Sequence, residues 1–453
     1  MRERLADYDL VLTYYGDDFT GPTDVMESLT NNGLPAVLFL DAPSQEDVAR
    51  FPGYRAVGVA GISRSQGPAW MEENLPGIFI RLKKLGAPLC HYKTCSTFDS
   101  SPETGSIGKA IDIGQAVFGN PYVPLVVGAP ILRRYTVFGH LFATVDGVTY
   151  RLDRHPTMMR HPVTPMGESD LRLHLARQTS KRMDLVDILA LQSPDLDQRF
   201  DALLARRPEI VLFDILDHAS LVQTGRLLWE RRAADEVFVA GSSGLEYALA
   251  AYWQFSGELP PPPVMPEPGA VDRVAVVSGS CSPTTEQQIR WAMGNGFDGI
   301  ALNAAALAGG ADGGRVMEEA IRKGLSALAE GRSVVLYTAL GPQGPMQVDV
   351  DRTEATEFNT TLGRQLGRIL RELVLRAGLR RAMACGGDTS GHAGQQLGIQ
   401  ALTMLRPLAP GGPLCRAWSS APAFDGMEIV FKGGQVGGER YFGWVRGGRP
   451  EAA

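Results

Sequence analysis

The sequence predicts an α/β protein of two domains, each built on a mostly parallel sheet. Two features carry that expectation: short apolar runs alternate with helical stretches, and a proline cluster interrupts the alternation once. The first run, residues 10–15, is apolar almost throughout and ends in Gly16-Asp17-Asp18, which suits a parallel strand covered on both faces. Gly21-Pro22-Thr23-Asp24 then opens a helix that stops at Asn32-Gly33. Further strands are expected at 36–40, 56–60, 125–127, 210–213 and 237–240. Between Glu258 and Gly269 lie Pro260, Pro261, Pro262, Pro263, Pro266 and Pro268. Proline has no N–H and a fixed φ, so this stretch favours a semi-rigid connector. Residues 1–258 and 271–453 are therefore read as two domains joined by a linker at 259–270. In the second domain, 274–277 is a strand, and Ser282-Pro283 starts a helix with a capping serine and proline at its first position. Strands at 333–338, 382–385 and 428–432 and a long amphipathic helix at 353–377 complete the pattern.

Composition narrows the function. The chain has 44 basic and 50 acidic residues, a formal charge of −6, which argues against a partner held by phosphate electrostatics such as nucleic acid. No run reaches the length of a membrane span, and the N-terminus lacks the apolar core of a signal peptide. The five cysteines are irregularly spaced and fit no disulfide framework. Cys90, His91 and Cys95 lack a second ligand pair, so no metal site is assigned. The expectation is a cytoplasmic protein with small-molecule partners and no membrane or nucleic acid. A homo-oligomer stays open.

Ligands of open α/β sheets bind at the carboxyl ends of strands, so the strand-to-helix turns hold the candidate chemistry. Asp17 and Asp18 are adjacent acids after a buried strand: one can take a proton from a hydroxyl while the other orients it or holds magnesium. The alternative reading is that Asp18 or Thr20 simply caps the next helix. Arg64 and Lys93 follow other strands and offer cations for a carboxylate-bearing small molecule, or salt bridges to the two acids. The turn around Gly241 and Ser242 adds backbone donors. Beyond the linker, the stretches 278–282 and 385–391 are small-residue turns that open helices, as phosphate sites do. Neither carries the GK[ST] ending of a Walker A loop, and no G-x-G-x-x-G follows the first strand of either half. Cys95 and Cys281 have no evident base at a recognisable spacing. The basic, proline-rich stretch 151–165 is read as a solvated loop, His392 as undecided between phosphate and solvent, and Trp291 and Trp418 as core or interface.

These motifs resemble a known family. Asp17-Asp18-Phe19-Thr20-Gly21 resembles the DDFTGA opening of the four-carbon acid sugar kinases. Ser278-Gly279-Ser280-Cys281-Ser282, Gly386-Gly387-Asp388-Thr389 and Lys432-Gly433-Gly434 resemble its nucleotide-domain motifs, in the same order. The resemblance implies a sugar-acid-binding domain and an ATP-binding domain facing a shared cleft. Asp17, Asp18, Arg64 and Lys93 would face the substrate, with Ser96 and Thr97 retained from the same motif. Ser278, Ser280, Ser282, the turn 386–389, and Gly433 or Gly434 would face ATP. Where the family commonly reads KKIDSTLRGNIG, residues 92–108 lack the Arg-Gly pair and gain Asp99 and Glu103. That more acidic edge points away from ordinary tetronates, toward a 3-oxo or branched acid such as 3-oxo-isoapionate.

The resulting expectation is an ATP- and Mg²⁺-dependent sugar-acid kinase with Asp18, or less probably Asp17, as base and Asp388 as the alternative base or magnesium partner. The metal ligands themselves are not assigned. A non-catalytic sugar-acid or nucleotide sensor and an NAD(P)-dependent oxidoreductase are the competing readings.

Overall fold

The computed structural model of the chain describes residues 4–450 except 146, 162, 233–235, 260, 261, 263, 266, 310, 311 and 343–351. Of residues 352–356 and 388 it describes the backbone alone. Four of the linker prolines thus lie outside the described residues. The chain divides into two compact units. Unit 1 is Met1–Ala36 with Asp41–Pro263, and unit 2 is Val37–Leu40 with Val264–Ala453.

Strands are numbered along the chain. The first eleven are β1 (Leu12–Gly16), β2 (Ala36–Phe39), β3 (Ala56–Ala60), β4 (Leu89–Lys93), β5 (Val123–Val126), β6 (Arg134–Val137), β7 (His140–Val145), β8 (Val148–Arg151), β9 (Met183–Val186), β10 (Ile210–Phe213) and β11 (Val237–Gly241). Then come β12 (Ala275–Ser278), β13 (Phe297–Ala301), β14 (Ser333–Tyr337), β15 (Arg381–Cys385), β16 (Ile399–Ala409), β17 (Gly412–Ser419) and β18 (Glu428–Lys432).

In unit 1 the main sheet runs β3-β1-β4-β11-β5-β10-β9, all pairs parallel. Every residue of β1, β3, β4 and β11 is buried, as expected where helices cover both faces. Tyr15, Phe79, Tyr92 and Phe238 pack together in a hydrophobic core of this unit. The sequence reading missed β6, β7 and β8, an antiparallel meander of short, mostly half-exposed strands that mix apolar with polar residues.

In unit 2, β13-β14-β12-β15-β18 is parallel, and β17 and β16 then continue antiparallel. The outer neighbour of β16 comes from far upstream: Val37, Leu38 and Phe39 pair antiparallel with Thr403, Leu402 and Ala401. The fold class is therefore α/β with mostly parallel sheets, as the alternating pattern predicts. The long helix expected at 353–377 is Arg352–Ala377. Among the described residues, no helix is long and apolar enough to cross a membrane.

At the amino end of the unit 2 strands, Arg381 is wholly buried. Its guanidinium donates to Glu428 Oε2 at 2.6 Å, and to the carbonyls of Val445 at 2.8 Å and Gly269 at 2.9 Å. It thereby ties two strands to the helix Tyr441–Gly447 and to the segment that enters the unit. Removing one partner of such a buried pair strands the other charge. Arg381→Ala is expected to lower the unfolding free energy of unit 2 by about 3–5 kcal/mol in a denaturant titration.

Candidate active site

Parallel register assembles the first cluster of unit 1. Gly16, at the end of β1, is level with Ala60 of β3 and with Lys93 of β4, and Lys93 is level with Gly241 of β11. The turns bearing Asp17-Asp18, Arg64, Lys93 and Gly241-Ser242 therefore emerge side by side. Arg64 donates to Asp17 through Nη2 at 2.6 Å and Nε at 3.1 Å, and to Asp18 through Nη1 at 2.9 Å. The Asp18 carboxylate also accepts the Gly21 N–H at 2.6 Å, so it both pairs with the arginine and secures the start of the helix Gly21–Asn31. Asp17 is almost fully buried, whereas the Asp18 side chain keeps 23% of its surface. Burial pushes the Asp17 carboxyl above its ordinary range, and Arg64 pulls it back only in part.

Lys93 is buried and donates to the carbonyl of Thr94 at 2.8 Å. Among the described residues no carboxylate lies within ion-pair distance of its ammonium, although Asp24 and the turn at Gly21 are neighbours: a Cβ on Gly21 would stand 3.5 Å from Nζ. Lys93 is thus a desolvated cation with donors to spare. Ser242 is used within the fold, giving its hydroxyl to the Val127 carbonyl and accepting from Gly244 N. Beneath the same turn, His91 and Glu246 form a fully buried pair at 2.6 Å, and the other His91 nitrogen reaches the Gly241 carbonyl at 3.1 Å. Sequence reasoning set His91 aside with the cysteines and had no signal for Glu246.

The divergent stretch after Lys93 lies against this cluster. Thr97 donates its hydroxyl to Asp99, whose second oxygen accepts from Thr164 at 3.4 Å, and Ser96 is half-buried beside them. Burial acts to raise the Asp99 carboxyl, but Arg64, the Thr97 hydroxyl and His161 outweigh it and hold it below its ordinary range. Thr164, His161 and the buried His155 belong to the stretch read from sequence as a solvated loop. They are instead folded in: Thr164 bonds His161, and His155 Nδ1 accepts from Met158 N, while Arg154 stays exposed. Pro162 lies outside the described residues.

In unit 2 three turns meet. Ser278 is level with Cys385, and Cys385 with Lys432. Ser280 donates to Thr285 at 3.1 Å, and Thr285 donates to the Gly434 carbonyl at 2.8 Å. A Cβ on Gly434 would stand 2.7 Å from Ser280 Oγ, so the two turns touch only because that residue is glycine. Gly386, with φ +109°, turns the chain into the helix Gly387–Gln396, and its N–H bonds the Lys432 carbonyl at 2.9 Å. A Cβ on Gly387 would meet nothing within 4 Å, so space is open above this helix start. Ser282 caps the helix Pro283–Met293. The backbone of Asp388 lies in the first turn of its helix, and its side chain lies outside the described residues. Two helix starts, small residues and unhindered backbone thus meet at one edge of the sheet, the combination of features that phosphate sites use. Cys281 is exposed, and neither it nor half-buried Cys95 has a general base bonded to its sulfur among the described residues.

An acid-lined turn cluster on one α/β unit and a glycine-rich turn cluster on another are the arrangement expected of a small-molecule kinase of two parts. Comparison with known proteins makes the class specific. Residues 12–249 match the sugar-binding N-terminal domain family and residues 275–442 the nucleotide-binding C-terminal domain family. The chain belongs to the four-carbon acid sugar kinase family, and it is a sugar-acid kinase. It is 49% identical over 446 residues to the 3-oxo-isoapionate kinase of Paraburkholderia graminis, covering 97% of this chain and 95% of that one. It is 28% identical over 432 residues to the 3-oxo-tetronate kinase of Pectobacterium atrosepticum, covering 94% and 96%. A Salmonella typhimurium structure described as a putative tRNA synthase aligns over 95% of this chain and 97% of its own, with TM-score 0.75 and 25% identity. A Haemophilus influenzae protein shares the fold at TM-score 0.70 and 23% identity, over 96% and 99%. The family read from the ordered motifs is borne out.

The Asp99 assignment has a pH consequence. A carboxyl held low in the folded state adds stability that is fully present above its ordinary value of 3.8 and fades as pH falls through the lower folded value. Asp99→Asn should therefore flatten the loss of unfolding free energy below about pH 4, measured by urea titration at stepped pH, while lowering stability at neutral pH.

Proposed function

We propose that this chain phosphorylates a hydroxyl of 3-oxo-isoapionate with ATP. The observation that carries the reading is the 49% identity, over 97% of the chain, to a kinase named for that acid, against 28% to one named for 3-oxo-tetronate. The acidic Asp99 edge, where the family commonly has Arg-Gly, favours the same choice. Residues 1–258 would bind the acid and 271–453 the nucleotide, with 259–270 as linker.

Within the first domain, Arg64 is already engaged by Asp17 and Asp18, so its role is to hold the two carboxylates in place. The substrate carboxylate is assigned to Lys93, a buried ammonium whose remaining donors suit an anion. Ser96, Thr97 and the backbone at Gly241 would line the rest of the pocket, with Ser242 shaping the turn. Asp18 is the base, because it is the more exposed of the acid pair and the substrate hydroxyl can reach it. Asp17, deeper and doubly bonded to Arg64, orients it.

Within the second, ATP supplies the transferable phosphoryl group. Ser280, the turn 386–389 and Gly433-Gly434 would hold its phosphates, with Ser278 and Ser282 fixing that turn from behind. Among the described residues no three His, Cys, Asp or Glu side chains gather as a metal site. Magnesium would bridge the nucleotide's phosphates, with Asp388 in the first turn of its helix as the candidate protein partner. None of the five cysteines is in a disulfide, which suits a reducing cytoplasm.

The test is ATP consumption, with mass detection of product, across erythronate, threonate, their 3-oxo forms and 3-oxo-isoapionate. The last should be preferred in kcat/KM by ~10-fold or more over the 3-oxo-tetronates; equal or reversed preference would overturn the substrate assignment. Asp18→Asn should lower kcat ~10²- to 10⁴-fold while ATP still binds, and near-normal turnover would move the base elsewhere. Lys93→Met should raise KM for the acid ~10- to 100-fold without a matching loss of ATP affinity.

A further inference from the structure

Lys432 closes β18 and is completely buried, directly under the glycine turn of the nucleotide-binding unit. Its ammonium donates to the Gly433 carbonyl at 2.9 Å, the Thr285 hydroxyl at 3.2 Å and the Gly434 carbonyl at 3.5 Å. Every one of these partners is neutral. Among the described residues no carboxylate lies within ion-pair distance of it, and the adjoining Cys385 thiol, pushed up to about 12 by burial, stays protonated at neutral pH and supplies no counter-charge. A buried ammonium facing only dipoles is expensive unless something anionic answers it.

The geometry of the turn indicates where that anion belongs. In a trans peptide the carbonyl and the following N–H point in opposite directions. Turning the carbonyls of Gly433 and Gly434 onto the ammonium therefore aims the N–H groups of Gly434 and Gln435 away from it, side by side. Consecutive N–H groups presented in this way make an anion nest, here with a fixed positive charge behind it.

We propose that Lys432 is a positioning residue for phosphoryl transfer: from beneath the turn it orients the Gly433-Gly434 backbone toward the nucleotide's phosphates and supplies their permanent counter-charge without touching them. Burial lowers the proton affinity of the ammonium, and a phosphate close above the turn offsets that effect. The inference rests on the nucleotide-binding role of this unit, but it is a separate claim about a residue that the family motifs place only in sequence.

The test measures calorimetric affinities of the full-length protein and of Lys432→Met for ATP, AMP and adenosine. A residue that merely keeps the fold intact would weaken all three alike. A counter-charge predicts that ATP affinity falls ~10- to 100-fold, AMP affinity less, and adenosine affinity less than about threefold. Equal losses for ATP and adenosine, or no loss for ATP, would overturn the proposal. Should Lys432→Met fail to fold, Thr285→Val removes a hydroxyl partner and leaves the charge: discrimination of ATP over adenosine that persists supports the proposal, and its disappearance refutes it. Wild-type protein that binds neither ATP nor adenosine would refute the nucleotide-binding reading itself.

Discussion

In unit 1, Lys93 pairs with Gly16 on one side and Gly241 on the other; in unit 2, Cys385 pairs with Ser278 and with Lys432. These four registers set the positions of almost everything else described here. Parallel strands all finish at the same edge of their sheet, so turns more than a hundred residues apart in sequence become neighbours. Side-chain faces alternate along a strand, and a slip of one residue in β4 would point Lys93 to the other face of the sheet, away from the turns of Asp17-Asp18 and Gly241. The full burial of β1, β3, β4 and β11 is what forbids such a slip.

The two units handle buried charge differently. Around Arg64 the charges are answered within the protein: Asp17 and Asp18 bond it directly, and Asp99 feels its field without a direct bond. That network is a self-satisfied frame, and beside it Lys93 has no carboxylate within ion-pair distance among the described residues, which is why the proposed function gives it the substrate's carboxylate. Around Lys432 the balance is incomplete, because hydroxyl and carbonyl dipoles stand where a carboxylate would normally be. A self-neutralised frame beside one spare charge suits a small acid, and a concentrated charge behind a backbone nest suits a polyphosphate.

Most of the parallel framework of both units was legible in the sequence because its central strands are continuous apolar runs closed by small-residue turns; the edge strands β9 and β13, each interrupted by an aspartate and partly exposed, were not. The candidate turns were legible for the same reason, each standing where such a run ends. What escaped has physical causes. The meander β6, β7 and β8 is too exposed to advertise itself, and the β16–β17 hairpin mixes Arg406, Arg416 and two prolines into its strands. The His91–Glu246 pair joins a strand to a helix across 155 positions, and no local pattern encodes such a contact. The stretch 151–165 looks solvated by composition, yet Asp99 draws Thr164 and His161 inward. Arg64 was correctly placed beside the acids, but residue type alone did not decide whether it would grip a ligand or its own neighbours.

The strand exchanged between the units, Val37–Leu40, has a consequence in time. Its antiparallel partner Ala401–Thr403 is translated roughly 360 residues later, which at 5–20 residues per second means ~20–70 s on the ribosome. Throughout that interval an Ala-Val-Leu-Phe segment exists without the strand that will cover its edge, a classic opening for mispairing with a neighbouring nascent chain. Folding of the second unit is thus bound to the survival of a segment made near the very start. For the same reason, a gene cut at the proline linker would give a downstream product lacking one strand of its own sheet.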